Sequence, residues 1–85
     1  MIDYVRQVAI CESVRETIKR ALAQSDDISA RMKVNNIPAT DSILREVSLH
    51  PNISAEETLL DFITEHILNS LRLTAAQREQ LNLNS

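Results

Sequence analysis

The sequence predicts an all-α protein, a small bundle of four to five helices in a single domain over residues 1–85. Three observations lead to this prediction. None of the 85 residues is glycine, which tight hairpin turns and phosphate-binding loops usually need because they contain positive φ angles. Two long segments repeat apolar residues with the period of a helix. Finally, hydroxyl residues precede Glu or Gln by three positions at two helix starts, which is the spacing of a capping box.

The first long helix is predicted over residues 3–24. On a wheel of about 100° per residue, its apolar side chains fall within about 160° of arc. The opposite face carries Glu16 and Arg20, whose i, i+4 order stabilises a helix by a few tenths of a kcal/mol. The pattern is typical of an amphipathic helix that packs on a core through one face. Its apolar residues are Tyr4, Val8, Ile10, Cys11, Val14, Ile18, Ala21 and Leu22.

A short second helix is predicted over residues 27–34, with its N-cap among residues 25–27. Ile28 and Met32 lie one turn apart and are expected to be buried together. The pair Asn35–Asn36 follows. Asn tolerates the left-handed conformation that often ends a helix, so this pair is expected to replace the missing glycine.

A third helix is predicted over residues 41–49. Pro38 favours an extended backbone at the residue before it, and Thr40 or Asp41 is expected to cap the helix. His50 and Pro51 end it, because proline cannot continue the hydrogen-bond pattern of a helix.

The second long helix is predicted over residues 55–71, and Ser54 with Glu57 forms a capping box at its start. Its apolar side chains cover about 240° of arc. A helix apolar on three sides belongs at the centre of a bundle or at a dimer interface. The residues predicted to line such an interface are Leu59, Leu60, Phe62, Ile63, Ile67 and Leu71.

A last short helix is predicted over residues 75–81, because Thr74 and Gln77 form a second capping box. The polar tail 82–85 is expected to fray, with Leu83 as its one apolar residue able to dock. No internal repeat or linker divides the chain.

Composition limits the possible functions. Nine Lys and Arg stand against twelve Asp and Glu, so the net charge is −3, whereas nucleic-acid binding depends largely on an excess of cations. The single cysteine, Cys11, permits neither an internal disulfide nor a zinc site built from cysteines. No apolar run is long enough to cross a bilayer and no signal-peptide pattern is present. A cytoplasmic location is therefore expected.

Residues 27–47 give an alternative hypothesis, a DNA-binding regulator that resembles a helix-turn-helix protein. Two short helices are joined by a turn, and Arg31, Lys33 and Arg45 would contact phosphates. The turn over residues 35–38 is long for this motif, and Asp41 and Glu46 would face the same phosphates. Nucleic acid is thus a possible partner but not the favoured one.

Catalytic chemistry has little support in the sequence. Neither histidine, His50 or His66, is preceded by Glu in the Glu-x-x-His pattern of di-iron bundles, and Asp61 and Glu65 lie five residues and one residue from His66. An acid–base pair would have to be assembled from Glu65, His66 and Asp41. Cys11 lies among apolar residues and is best interpreted as a small buried hydrophobe. We therefore expect no catalytic residue, cofactor or metal ion.

The function predicted from the sequence is that of a small, non-enzymatic cytosolic regulator or adaptor. It is expected to bind a protein partner through its helices and to form a homodimer, since small aliphatic bundles often gain stability by self-association.

Overall fold

The computed structural model describes residues 2–81, and within that range it contains helices and no strand. The predicted all-α fold class is confirmed. Four of the five predicted helices agree with the observed bounds to within one residue at each end. The second helix ends two residues earlier than predicted and continues as a 3₁₀ turn. The predictions for residues 82–85 lie outside the described range. The elements are α1 Tyr4–Ala23, α2 Ile28–Met32, the 3₁₀ turn Lys33–Asn36, α3 Thr40–Ser48, α4 Glu56–Leu71 and α5 Ala75–Leu81.

Helices α1, α3 and α4 pack against one another and enclose the core. The core is aliphatic, as the near absence of aromatic residues requires. Helix α4 packs against both α1 and α3, so most of its apolar surface is buried within a single chain. The fully buried side chains are Cys11, Ile18, Leu22, Ile43, Leu59, Ile63 and Ile67.

Helix α1 is the amphipathic helix that the sequence predicts. The Asp3 carboxylate accepts a hydrogen bond from the Arg6 amide at 2.8 Å and caps its first turn. On the exposed face, Arg20 Nε lies 3.3 Å from Glu16 Oε1, which confirms the predicted i, i+4 pair. Tyr4, predicted on the apolar arc, is exposed instead.

Helix α2 is capped by Asp27, whose carboxylate accepts hydrogen bonds from the amides of Ser29 and Ala30. The prediction that Ile28 and Met32 are buried is wrong: these side chains are 64% and 67% exposed. Ala30 is the buried residue of this helix. Residues two positions either side of it are rotated by about 200°, so they must point away from the core.

The predicted cap of α3 by Thr40 or Asp41 is also wrong. Ala39 occupies the N-cap position, and no side chain caps the helix. The Thr40 hydroxyl instead lies 3.5 Å from Arg15 Nη1, and Arg15 Nε donates to the Pro38 carbonyl at 2.8 Å. A half-buried arginine of α1 therefore holds the chain that leads into α3.

The predicted Ser54–Glu57 capping box does not form. Helix α4 begins one residue later than that box requires, and Ala55 at its N-cap makes no side-chain hydrogen bond. Glu56 instead receives two hydrogen bonds from the Arg6 guanidinium, at 2.8 and 3.0 Å. This contact between helices anchors the start of α4 on α1.

The left-handed residue lies elsewhere than predicted. Asn35 and Asn36 belong to the 3₁₀ turn, and the one non-glycine residue with positive φ among residues 2–81 is Arg72, with φ 53°. Arg72 is the C-cap of α4. Its carbonyl accepts a hydrogen bond from Lys33 Nζ at 3.0 Å, so a cation from the preceding part of the chain supports this unusual turn.

The second predicted capping box is confirmed at α5. Gln77 N donates to Thr74 Oγ1 at 3.1 Å, and Thr74 N donates to Gln77 Oε1 at 3.0 Å. Gln77 is only 7% exposed. The side-chain nitrogen Nε2 of Gln77 also donates to Asp27 Oδ2 at 3.0 Å, and its Oε1 accepts a hydrogen bond from Lys33 Nζ at 3.1 Å. We call Gln77, Asp27, Lys33 and Thr74 the Gln77 network; it fastens α5 to the start of α2.

Candidate functional site

The three residues of segment 27–47 that are predicted to contact phosphates have different surroundings. Lys33 is half-buried, and its ammonium group is held inside the Gln77 network. Arg31 is exposed but donates to the Ser25 carbonyl at 2.8 Å. Arg45 is exposed on α3. One of the three cations thus has a structural role.

The three groups considered for acid–base chemistry each have separate surroundings. Glu65 pairs with Arg78 of α5, and Asp41 is exposed in the first turn of α3. The ring of His66 lies nearly parallel to Phe62 with centroids 6.0 Å apart, and His50 packs on the same phenyl ring at 5.0 Å. Among residues 2–81, no three His, Cys, Asp or Glu side chains converge as metal ligands would.

Cys11 is fully buried. Burial raises the pKa of its thiol, and this outweighs the opposing hydrogen bond with Thr40 and the charge of Arg15. A nucleophilic cysteine needs the opposite shift, since the thiolate is the reactive form. The side chain therefore packs as the sequence indicates.

A surface concavity lies between α1 and α4. Two adjoining depressions, of about 510 and 410 Å³, share Ser13 and Leu60 in their walls. We call this concavity the α1–α4 groove and define it by Ala9, Ser13 and Thr17 of α1 and Leu60 and Thr64 of α4. The short side chains on α1 leave room beside Leu60, which is 46% exposed.

The floor of the α1–α4 groove is the edge of the core. Ile10 lies at one end, and Val14 and Ile18 lie along the rest. All three side chains are buried, so each exposes only a small apolar area at the bottom of the groove. The groove thus combines an apolar floor and one accessible leucine with polar hydroxyls on both walls.

The rim of the groove is acidic on the α4 side. Glu57 and Asp61 line it and are exposed, and neither takes part in an ion pair found within residues 2–81. The one cation lining the groove, Arg6, is bound to Glu56. The hydrogen bond from Arg6 lowers the pKa of the Glu56 carboxyl. The free charge at this rim is therefore negative.

The residues predicted for an interface divide into two groups. Leu59, Ile63, Ile67 and Leu71 are buried against the chain's own helices, whereas Phe62 is half-buried and Leu60 is exposed. Of these six, Leu60 alone lines the α1–α4 groove. The prediction of a partner-binding face on α4 stays a prediction, with Leu60 as its accessible centre.

Ala9, Ser13 and Thr17 were not predicted to line a site. Their spacing of four residues could have indicated a shared face of α1, because residues at that spacing lie on one side of a helix. Which helix lies opposite that face cannot be read from the spacing.

Comparison with known proteins gives no relative: no family model matches this chain, and neither a curated protein nor a solved structure resembles it significantly. Within the described residues, no helix combines the length and apolarity needed to cross a membrane.

Proposed function

We propose that this protein is a small, non-enzymatic regulator or adaptor that binds a protein partner through the α1–α4 groove. The observation that carries the proposal is the open concavity around Leu60, where two long helices leave an accessible apolar surface. Helical grooves of this kind commonly receive the apolar face of a partner helix.

The surroundings of the titratable groups support a binding role over a catalytic one. A general base must lie within hydrogen-bond reach of the reacting group. Glu65 is engaged by Arg78 and His66 packs on Phe62, so these candidates have structural contacts and no common cleft. The proposed site of action is the cytoplasm.

The burial of Leu59, Ile63, Ile67 and Leu71 favours a heterologous partner over the homodimer expected from the sequence. The wide apolar surface of α4 was the reason to expect self-association, and α1 and α3 cover most of it. On α4 itself, Leu60 and part of Phe62 are the accessible remainder of the predicted interface, whereas a stable dimer usually buries about 800 Å² per partner.

Capture from the native host with three matched forms of the protein tests the proposal. Leu60→Asp places a charge in the groove, and Leu49→Asp places the same charge on a similarly exposed leucine outside it. We expect a partner that is retained by the unmodified protein and by Leu49→Asp and is lost from Leu60→Asp. Circular dichroism checks that both variants remain helical. Identical capture by all three forms would refute the groove as the binding site.

A titration with duplex DNA tests the alternative use of residues 27–47. Phosphate contacts would give a steep loss of affinity with salt. Because Lys33 is held inside the Gln77 network and the chain is acidic, we expect no salt-dependent binding near physiological ionic strength.

A further inference from the structure

We infer that the occupant of the α1–α4 groove is a cationic amphipathic helix of a partner protein. The inference rests on the proposed function and adds the chemistry of the partner: an apolar face that meets Leu60 and lysines or arginines that meet Glu57 and Asp61.

The length of the groove fits a short helix. Along α1 the lining residues extend from Arg6 to Ile18, which is about 18 Å at about 1.5 Å per residue. A partner helix of about 12 residues, or three turns, has this length. Ala9 and Ser13 near the middle have short side chains, so a partner side chain can reach the floor beside Leu60.

The charges on the rim determine the sign of the partner. Glu57 and Asp61 lie one turn apart on α4, since they are four residues apart on one face. Both are exposed and have no cation of this chain bound to them within residues 2–81. Arg6, by contrast, is neutralised by Glu56. A partner helix with cations one turn apart would complement this rim, and an acidic helix would be repelled.

A second copy of this chain fits the groove poorly. The exposed apolar pairs that its helices offer are Tyr4 and Val5 at the start of α1 and Ile28 and Met32 on α2. The five-residue α2 is about 7.5 Å long and covers less than half of the groove. The cation beside Tyr4 and Val5 is Arg6, which Glu56 already binds, so neither pair brings two unpaired cations to Glu57 and Asp61.

Synthetic peptides of about 12 residues test the inference directly. The probe carries leucine and alanine on one face and lysine on both flanks, and its matched control replaces every lysine by glutamate. Each is labelled with a fluorophore, and binding to the full chain is followed by anisotropy. We expect the lysine peptide to bind and the glutamate peptide not to bind.

Two variants of the protein locate the binding. The double variant Glu57→Gln/Asp61→Gln keeps side-chain size and should weaken the lysine peptide about fivefold to tenfold, because exposed ion pairs are each worth up to about 1 kcal/mol. Leu60→Asp should abolish apolar docking. Raising the salt from about 0.05 to about 0.3 M should weaken binding to the unmodified protein much more than to the double variant.

The outcomes separate this inference from the proposed function. Equal binding of both peptides, or binding unaffected by the double variant, would overturn the cationic partner, while a continued dependence on Leu60 would leave the groove as a docking site. Binding unaffected by Leu60→Asp would overturn both. Light scattering that shows a dimer, converted to a monomer by Leu60→Asp, would overturn the inference in favour of self-association.

Discussion

Arg72 has a backbone conformation that its side chain disfavours. Its φ of 53° lies in the left-handed region, where a residue with a Cβ atom loses about 1 kcal/mol and glycine does not. We expect Arg72→Gly to raise the free energy of unfolding by about 0.5–1 kcal/mol. Lys33 donates to the Arg72 backbone carbonyl, so this contact survives the substitution. Urea denaturation measures the change.

Ser70→Gly is the matched control. Ser70 lies two residues earlier in the last turn of α4, where glycine weakens a helix by up to about 1 kcal/mol. The two substitutions should therefore shift the urea midpoint in opposite directions. A loss of stability in both variants would contradict the role assigned to the positive φ.

Gln77 is the one buried polar residue among residues 2–81, and its side chain makes three hydrogen bonds. Gln77→Ala removes the acceptor of the Thr74 amide, one of the two acceptors of Lys33 Nζ and the donor to Asp27 Oδ2. Unsatisfied groups at half-buried positions cost about 1–3 kcal/mol, so we expect a loss of about 2–3 kcal/mol in thermal or urea unfolding. Gln80→Ala removes the same side chain from an exposed position of α5. If it destabilises the protein equally, the network is not the cause.

The spacing of a capping box predicted one helix start correctly and another wrongly. Thr74 and Gln77 satisfy each other three positions apart, whereas Ser54 and Glu57 have the same spacing and form no box, because α4 begins one residue later. Glu56 is engaged by Arg6, fifty residues away, and Thr40 lies beside Arg15 of α1. No local pattern reveals such partners.

At the scale of the elements, α4 begins without a side-chain cap for its first backbone amides. Ala55 occupies the N-cap position, where serine is better than alanine by about 1 kcal/mol. We expect Ala55→Ser to increase the free energy of unfolding by that amount, as measured by urea denaturation. Ser54→Ala should have almost no effect, because Ser54 does not cap the helix. The capping box inferred from the sequence would require the reverse.

We expect the contact between α2 and α5 to weaken in acid. The hydrogen bond from Gln77, followed by the Ala30 and Ser29 amides, lowers the pKa of the Asp27 carboxyl below its ordinary value of 3.8. Such a group stabilises the folded state above its unfolded pKa, and this stabilisation is lost as the pH falls through the folded pKa. We expect the free energy of unfolding to decrease as the pH falls through and below about 4. Urea titrations at several pH values measure the decrease, which should be shallower in Asp27→Asn.

Asp26→Asn serves as the control for this pH dependence. It removes a carboxylate from the neighbouring position, and none of the hydrogen bonds described for residues 2–81 uses that carboxylate. Its pH profile should follow that of the unmodified protein. An equally shallow profile in both variants would assign the effect to overall charge instead of to the contact with Gln77.

At the scale of the molecule, burial separates two residues that the sequence treats alike. Ile63 and Leu60 both lie on the apolar arc of α4, but Ile63 is fully buried and Leu60 is half exposed. We expect Ile63→Ala to reduce the free energy of unfolding by about 2–5 kcal/mol through cavity formation. Leu60→Ala should reduce it by less than about 1 kcal/mol. Comparable losses in thermal unfolding would show that Leu60 belongs to the core.

Apolar periodicity, together with the caps and helix-breaking residues, was sufficient to predict the order of the helices and the lengths of all but α2. It was insufficient for the groove, which depends on how α1 and α4 are placed side by side. Ala9 and Leu60 are separated by most of the chain, yet they line one depression. The same limit explains Ile28 and Met32: a pattern one turn apart identifies a shared face but not whether another helix covers it.

The hydrogen bond between Gln77 and Asp27 spans fifty positions and has an evolutionary consequence. The contact needs a donor at position 77 and an acceptor at position 27, so a substitution at one position should be tolerated better when the other position restores a donor–acceptor pair. Among descendants of this sequence, positions 27 and 77 should therefore change together more often than unconnected positions do.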